Sequence, residues 1–207
     1  MTAPLVEVLK GPTVTLRLLE IGDAAAMASA ATESRQTFGF TRVPDGLDDA
    51  RRYIDLALAE RTTRGRIPFA ILWHDRLVGS TSYLDPGYWR WPAGSPWQRT
   101  GVPDVVEIGA TWLAASAQRT RCNSEAKLLM LRHAFDVWQV HRVSLKTDER
   151  NAQSRRAIER LGALFEGVRR ADMPGADGTV RGSAYYSIMR AEWPAVRDRL
   201  EAALRDA

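Results

Sequence analysis

The sequence is poor in cysteine and lacks long apolar runs, and each shortage excludes a class of protein. The single cysteine of the 207-residue chain, Cys122, cannot form an internal disulfide and leaves no cysteine cluster for zinc, so no metal site is expected. No apolar run approaches the roughly 20 residues that a membrane-spanning helix needs, so no membrane partner is expected. The N-terminal segment lacks a basic region followed by an apolar core, which predicts no secretion signal and a cytoplasmic protein.

A strong excess of charge is missing as well. The formal net charge is +4, and arginines are mixed with acidic residues in segments such as 48–66 and 148–162. Such mixing is typical of solvated helix faces, whereas a surface that tracks phosphates needs clustered lysine and arginine. A nucleic-acid partner is therefore not expected, although the basic isoelectric point leaves an RNA- or ribosome-associated factor as a third hypothesis.

The length and the spacing of apolar residues predict one domain of strands and helices. We expect an N-terminal extension over residues 1–13, the domain over 14–195 and the end of a C-terminal helix over 196–207. Residues 104–148 read as strand, helix and strand, a span long enough for a right-handed βαβ crossover with parallel strands. The predicted elements are a strand from Val14, helices over 24–35 and 47–65, two strands over 68–85 around a turn at His74 and Asp75, a strand over 104–114, a helix over 124–138, a strand over 142–148, a helix over 151–162, a hairpin over 163–190 and a helix over 192–207.

Residues 85–103 predict an irregular loop, since they contain four prolines, three glycines and the tryptophans Trp89, Trp91 and Trp97. Large indole rings favour packing against another surface. The loop either covers its own core or walls a ligand pocket or a subunit contact, and the sequence leaves these alternatives open. A homodimer formed through this loop or through the C-terminal hairpin also stays open.

The segment Gln118–Asn123, QRTRCN, lies where a βαβ unit delivers its loop to a helix N-terminus. Unpaired backbone N–H groups and the positive end of the helix dipole favour an anion there. Arg119 and Arg121 add positive charge, and Asn123 or Ser124 can cap the helix. The alternative is a capped surface helix with two solvated arginines, since polar helix entries are common.

Five segments in this order resemble the GNAT acyl-CoA N-acyltransferase superfamily, specifically its RimJ/RimL-like branch. They are VTLRLLEIGDAAAM, LVGSTSYLD, EIGATWLA, NSEAKLLMLRHAF and KTDERNAQSRRAIERLG, of which the last is the most distinctive. The resemblance extends from about Val14 to about Trp193. It implies an α/β (α+β) fold, in which a single domain holds a mixed, mostly antiparallel central sheet with a parallel, splayed central strand pair and helices on both faces.

By this resemblance the ligand is acetyl-CoA or a related acyl-CoA. Gln118–Asn123 matches the pyrophosphate loop of the family, with Arg121 and Asn123 where glycines are expected. Glycine permits positive φ, so either Arg121 keeps an allowed backbone and offers its guanidinium to a phosphate, or the loop is distorted. The implied acyl-CoA-binding residues are Ile108, Ala110 and Trp112 on the strand, Gln118, Arg119, Thr120, Arg121, Cys122 and Asn123 in the loop, and Asn151 and Ser154 at the start of the following helix.

The resemblance also implies an N-acetyltransferase that moves an acetyl group from acetyl-CoA to a primary amine by direct attack in a ternary complex. The amine belongs to a protein N-terminus or to a small molecule. Glu107 matches the acid that deprotonates the amine, while an exposed or arginine-bound carboxylate is the alternative. Ile158 stands where relatives carry a tyrosine as general acid, so Tyr186, Tyr185 or water takes that role, or the thiolate leaves unassisted.

The acceptor site has weaker signals. Tyr83 and Trp89 are the candidate acceptor-binding residues. Because the loop lacks its glycines and the helix its tyrosine, a catalytically impaired acyl-CoA-binding sensor or scaffold stays as the alternative function. Cys122 would have a lowered pKa at a helix N-terminus, but its place in the loop favours a coenzyme contact over covalent catalysis.

Overall fold

The computed structural model describes Val6, residues 8–63 and residues 65–205, and these residues form eight strands and five α-helices. No helix in this part of the chain is long and apolar enough to cross a membrane. The strands are β1 (Val8–Lys10), β2 (Val14–Leu18), β3 (Ile67–Trp73), β4 (Arg76–Gly87), β5 (Val105–Leu113), β6 (Arg142–Asp148), β7 (Leu164–Pro174) and β8 (Val180–Met189). The helices are α1 (Ala24–Thr32), α2 (Leu47–Thr63), α3 (Cys122–Arg132), which continues into a π-helical turn (His133–Val137), α4 (Ala152–Leu161) and α5 (Trp193–Arg205).

All eight strands form one sheet in the order β1-β2-β3-β4-β5-β6-β8-β7. Every neighbouring pair is antiparallel except β5 and β6, which are parallel. α3 lies in the connection between these two strands, as the βαβ spacing predicts. The predicted fold class, a mostly antiparallel sheet around one parallel pair, is confirmed.

Helices cover both faces of this sheet. Tyr83 on β4 points towards α3, where its hydroxyl donates to the carbonyl oxygen of Met130 at 2.6 Å. The adjacent Ser82 points to the other face, because side chains alternate along a strand. Its hydroxyl accepts a hydrogen bond from Arg66, which is paired with Glu60 of α2. α2 and α3 therefore lie on opposite faces.

The parallel pair is hydrogen-bonded only at its beginning. Val105–Glu107 pair with Arg142–Ser144, and beyond these residues the ladder between β5 and β6 stops. A positive φ of 48° at Ala110 and a register shift in the pairing with β4 bend β5 away from β6. The strand pair is therefore splayed, as expected, and a gap opens in the middle of the sheet.

The two end segments contact the same domain. β1 lies in the predicted N-terminal extension, yet it pairs antiparallel with β2. α5 runs as one helix across the predicted boundary after residue 195 and packs against α3. Residues 206 and 207, at the end of the predicted last helix, lie outside the described residues. The domain boundaries stay predictions.

Candidate active site

A cavity of about 830 Å³ lies where β5 and β6 separate. Its walls come from the diverging parts of β5 and β6, the first turns of α3 and α4, the connection between α1 and α2, and the β7–β8 hairpin. On β5 the lining runs from Glu107 to Leu113, the stretch that lacks ladder partners on β6. Backbone polar groups there need partners other than the neighbouring strand, which suits an extended ligand with amide groups.

Glu107 lies at the point where the strands separate. The residue is 8% exposed, and its Oε2 lies 3.3 Å from Nζ of Lys146 on β6. Burial raises the pKa of Glu107, and the positive charge of Lys146 opposes that shift. Glu107 is thus neither an exposed carboxylate nor one held by arginine. A buried carboxyl with a raised pKa beside a cavity is suited to accept a proton near neutral pH.

Gly109 keeps the cavity open beside this carboxylate. A Cβ atom at position 109 would lie 2.7 Å from Leu84 Cδ1 and 3.1 Å from Glu107 Oε1. Any side chain here would therefore displace the leucine or the carboxylate. The absence of a side chain leaves space next to the candidate base.

A second polar group extends from Glu107 towards β7 and β8. The Tyr185 hydroxyl donates to Asp172, whose two carboxylate oxygens both lie 3.2 Å away. Lys146 Nζ and Arg169 Cζ lie 5.5 Å and 4.7 Å from the centre of the Tyr185 ring. Burial raises the pKa of the Tyr185 phenol, and Lys146 opposes that shift. Tyr185, Asp172 and Arg169 all line the cavity with Lys146 and Glu107.

Tyr186, the first of the predicted general acids, lies outside the cavity. Its hydroxyl accepts from Arg155 Nε and donates to Glu159 Oε1, both at 2.9 Å, and the residue is 0% exposed. Neighbouring residues on a strand point to opposite faces, so Tyr186 packs against α4 while Tyr185 faces the cavity. The assignment is therefore corrected from Tyr186 to Tyr185.

The two predicted acceptor-binding residues also lie away from the cavity lining. Tyr83 is 0% exposed beneath α3, and its ring meets Phe69 edge to face. Trp89 stacks on His141 with ring centroids 5.5 Å apart, just before β6 and hence at the end of the parallel pair away from the gap. Both assignments are corrected, since neither side chain reaches the space beside Glu107.

The tryptophan-rich loop packs on its own domain. The rings of Trp91 and Trp97 also lie against His141. Asp104 accepts hydrogen bonds from the Trp89 backbone N–H and from Trp91 Nε1. Of the alternatives for this loop, the structure shows that it covers its own fold. A homodimer through it stays a prediction.

The predicted pyrophosphate loop divides between two cavities. Gln118 and Asn123 line the large cavity, whereas Arg119, Thr120 and Arg121 line a second one of about 430 Å³. The positive φ of the loop, 60°, occurs at Arg119, and Arg121 is helical with φ −69° and ψ −13°. Arg121 therefore keeps an allowed backbone, and the missing glycine causes no strain at this residue.

Cys122 lacks the surroundings of a nucleophile. The residue is 0% exposed, and burial together with Glu125 raises the pKa of its thiol to about 12. This direction is opposite to the lowered pKa expected from a helix N-terminus, because desolvation outweighs the dipole. Cys122 is not among the residues that line either cavity, so its predicted coenzyme contact has no support from the geometry.

The start of α4 follows the prediction. Asn151 is the N-cap, since its side-chain oxygen accepts the backbone N–H of Ser154 at 3.0 Å. Both residues line the cavity, as do Ile108, Ala110 and Trp112 of β5. Ile158 lines it too and has no proton to donate.

Sequence reasoning missed Lys127, Lys146 and Asp172, which also line the cavity. Lys127 follows Asn123 by four residues, so the helical repeat could have placed the two on one face. Lys146 alternates with Ser144, the residue that pairs with Glu107. Asp172 had no signal, because its position depends on a register shift between β7 and β8.

Comparisons with known proteins agree with this architecture. A family model described as an acetyltransferase (GNAT) domain matches residues 13–164. The candidate ribosomal N-acetyltransferase YdaF of Bacillus subtilis (strain 168) is 28% identical over 188 residues, which are 87% of this chain and 93% of YdaF. A candidate acetyltransferase structure from T. thermophilus has a TM-score of 0.79 and 33% identity, and the match covers 97% of this chain and 98% of that chain.

RimJ of Mycobacterium smegmatis, solved in complex with CoA-disulfide, has a TM-score of 0.74 at 23% identity, covering 96% of this chain and 92% of that chain. At this identity the likeness concerns the fold. Because the family model spans well over half of the chain, the chain belongs to the GNAT acetyltransferase family and is an acyltransferase.

Proposed function

We propose that this protein is an N-acetyltransferase that moves the acetyl group of acetyl-CoA to a primary amine by direct attack within one ternary complex. The observation that carries the proposal is the cavity between the separated strands β5 and β6, with the buried carboxyl of Glu107 where they part. Relatives of the same fold were solved with CoA-disulfide and with acetyl-CoA, which supports an acyl-CoA as the donor.

The residues around the cavity fit an acyl-CoA in charge and shape. Gln118 and Asn123 stand at the amino end of α3, where backbone N–H groups and the helix dipole favour the diphosphate. Asn151 and Ser154 stand at the amino end of α4 on the opposite wall. The unpaired stretch of β5 offers backbone partners to the amide-containing arm. When bound, acetyl-CoA supplies the acetyl group as a thioester.

The acceptor amine approaches from the side of Glu107. Gly109 leaves room for it, and Glu107 takes the proton that the amine loses as its nitrogen attacks. Backbone N–H groups near Ala110 are placed to stabilise the charge that develops on the thioester oxygen. Tyr185 is the tyrosine that the cavity offers as proton donor for the departing thiolate.

Calorimetry with acetyl-CoA, followed by an assay of thiol release with a panel of amines, tests the proposal. The panel holds N-terminal peptides, including those of ribosomal proteins because of the name that YdaF bears, together with amino acids and polyamines. Binding with thiol release on one class of amine is the expected result. Binding without turnover on any amine contradicts it and favours a sensor. Absence of binding together with salt-sensitive RNA affinity contradicts it and favours the RNA-associated factor.

The two adjacent tyrosines give opposite expectations. Tyr185→Phe removes the hydroxyl that faces the cavity and is expected to lower kcat about tenfold, the lower end of what proton transfer contributes, with little change in stability. Tyr186→Phe breaks two hydrogen bonds to α4 and is expected to cost about 1–2 kcal/mol in unfolding free energy with kcat unchanged. Steady-state kinetics and urea unfolding of both variants check this. An unchanged kcat in Tyr185→Phe means that the thiolate leaves unassisted.

A further inference from the structure

Lys127 is a buried lysine that no acid neutralises. It lies in the second turn of α3 and is 5% exposed. Its Nζ lies 3.0 Å from Thr81 Oγ1 and 2.7 Å from Thr111 Oγ1, and the two hydroxyls lie 2.8 Å apart. Among the described residues no charged group shifts its pKa, which burial alone lowers to about 7.

This arrangement costs stability. A buried ammonium without an anion pays a desolvation penalty, and an apolar side chain of the same length would fill the space at lower cost. A protonated lysine also has three N–H donors, and within the described structure the two threonine hydroxyls are its partners. Lys127 and Thr111 both line the cavity, so the third donor has access to a ligand there.

The position of Nζ identifies the part of a ligand that it can meet. The groups suited to a diphosphate, Gln118 and Asn123, stand one turn earlier, at the start of α3. Thr81 and Thr111 hold Nζ between β4 and β5, beside the unpaired stretch of β5 rather than at the helix end. A ligand segment that runs along this stretch presents carbonyl oxygens, not phosphates.

We propose that Lys127 is a binding residue for the acyl-CoA arm and that its Nζ–H donates a hydrogen bond to a carbonyl oxygen of that arm in the gap between β5 and β6. The inference rests on the proposed function, since the arm of an acyl-CoA supplies the carbonyl groups. Lys127 acts on donor binding and leaves proton removal from the amine to Glu107.

The test compares two ligands on the full chain. Coenzyme A carries the arm, and adenosine 3′-phosphate 5′-diphosphate lacks it. By isothermal titration calorimetry, Lys127→Met is expected to weaken coenzyme A binding about tenfold, the loss of one charge-assisted hydrogen bond. Its affinity for the armless nucleotide is expected to stay within about twofold of wild type. Equal weakening of both ligands, or no change for coenzyme A, overturns the inference.

Two further variants keep the result interpretable. Lys127→Gln retains N–H donors without the charge and is expected to recover coenzyme A affinity to within about threefold of wild type. Lys10→Met removes the same charge from the exposed strand β1 and is expected to bind both ligands as wild type does. A weakening in Lys10→Met equal to that in Lys127→Met assigns the effect to net charge and overturns the inference. A wild-type chain that binds neither ligand contradicts the proposed function itself.

Discussion

Replacing Glu107 with glutamine is expected to lower kcat/KM for amine acetylation by at least about a hundredfold, the usual contribution of a general base. Glutamine keeps the shape of the side chain beside Gly109 but cannot take a proton from the amine. Steady-state thiol release with the best amine of the panel measures the effect. Glu166→Gln is the matched control, because Glu166 lies on β7 outside the cavity lining. Loss of less than about threefold in Glu107→Gln contradicts base catalysis by this residue.

The pH dependence gives an independent check on Glu107. A base acts when it is deprotonated, so activity is lost as pH falls through its pKa. Burial raises that pKa above the ordinary glutamate value, and Lys146 holds it down in part. Lys146→Met is therefore expected to move the acid limb of the kcat/KM profile to higher pH. The titration of the free amine is the same in both enzymes, so an unmoved limb shows that the amine alone sets it.

Replacing Glu125 with alanine is expected to destabilise the fold by about 3 kcal/mol. The residue is 4% exposed, and its Oε1 accepts the backbone N–H groups of Thr13 and Val14 at 2.8 and 3.0 Å. Its other carboxylate oxygen accepts the Thr13 hydroxyl. Alanine leaves these donors without an acceptor at the point where α3 is tied to the start of β2. Urea unfolding followed by circular dichroism measures the shift in midpoint at constant m value.

Two controls accompany this variant. Glu125→Gln keeps an acceptor oxygen for the backbone donors and is expected to cost about 1 kcal/mol. Glu201→Ala breaks the exposed ion pair with Arg132 and is expected to cost less than about 1 kcal/mol. If Glu125→Ala is no more damaging than Glu201→Ala, the tie between α3 and β2 does not contribute to stability.

The sequence by itself predicted the parallel strand pair and its connecting helix. The span from residue 104 to residue 148 contains strand, helix and strand, and chain length with handedness then leaves one arrangement. The N-cap at Asn151 and the alternation that places Glu107 with Gly109 are likewise local properties. Local periodicity and capping depend on residues a few positions apart, which a single sequence displays directly.

Only the tertiary structure decided which side chains meet in the cavity. Tyr185 and Tyr186 are equivalent in sequence, and the pairing of β8 with β6 places Lys146 opposite Tyr185 and Leu145 opposite Tyr186. A slip of one residue would exchange them, so no local pattern separates the two. The same holds for Lys127, whose contacts with Thr81 and Thr111 join residues 46 and 16 positions apart. Such contacts, and the desolvation that shifts a pKa, depend on long-range packing that the order of residues does not show.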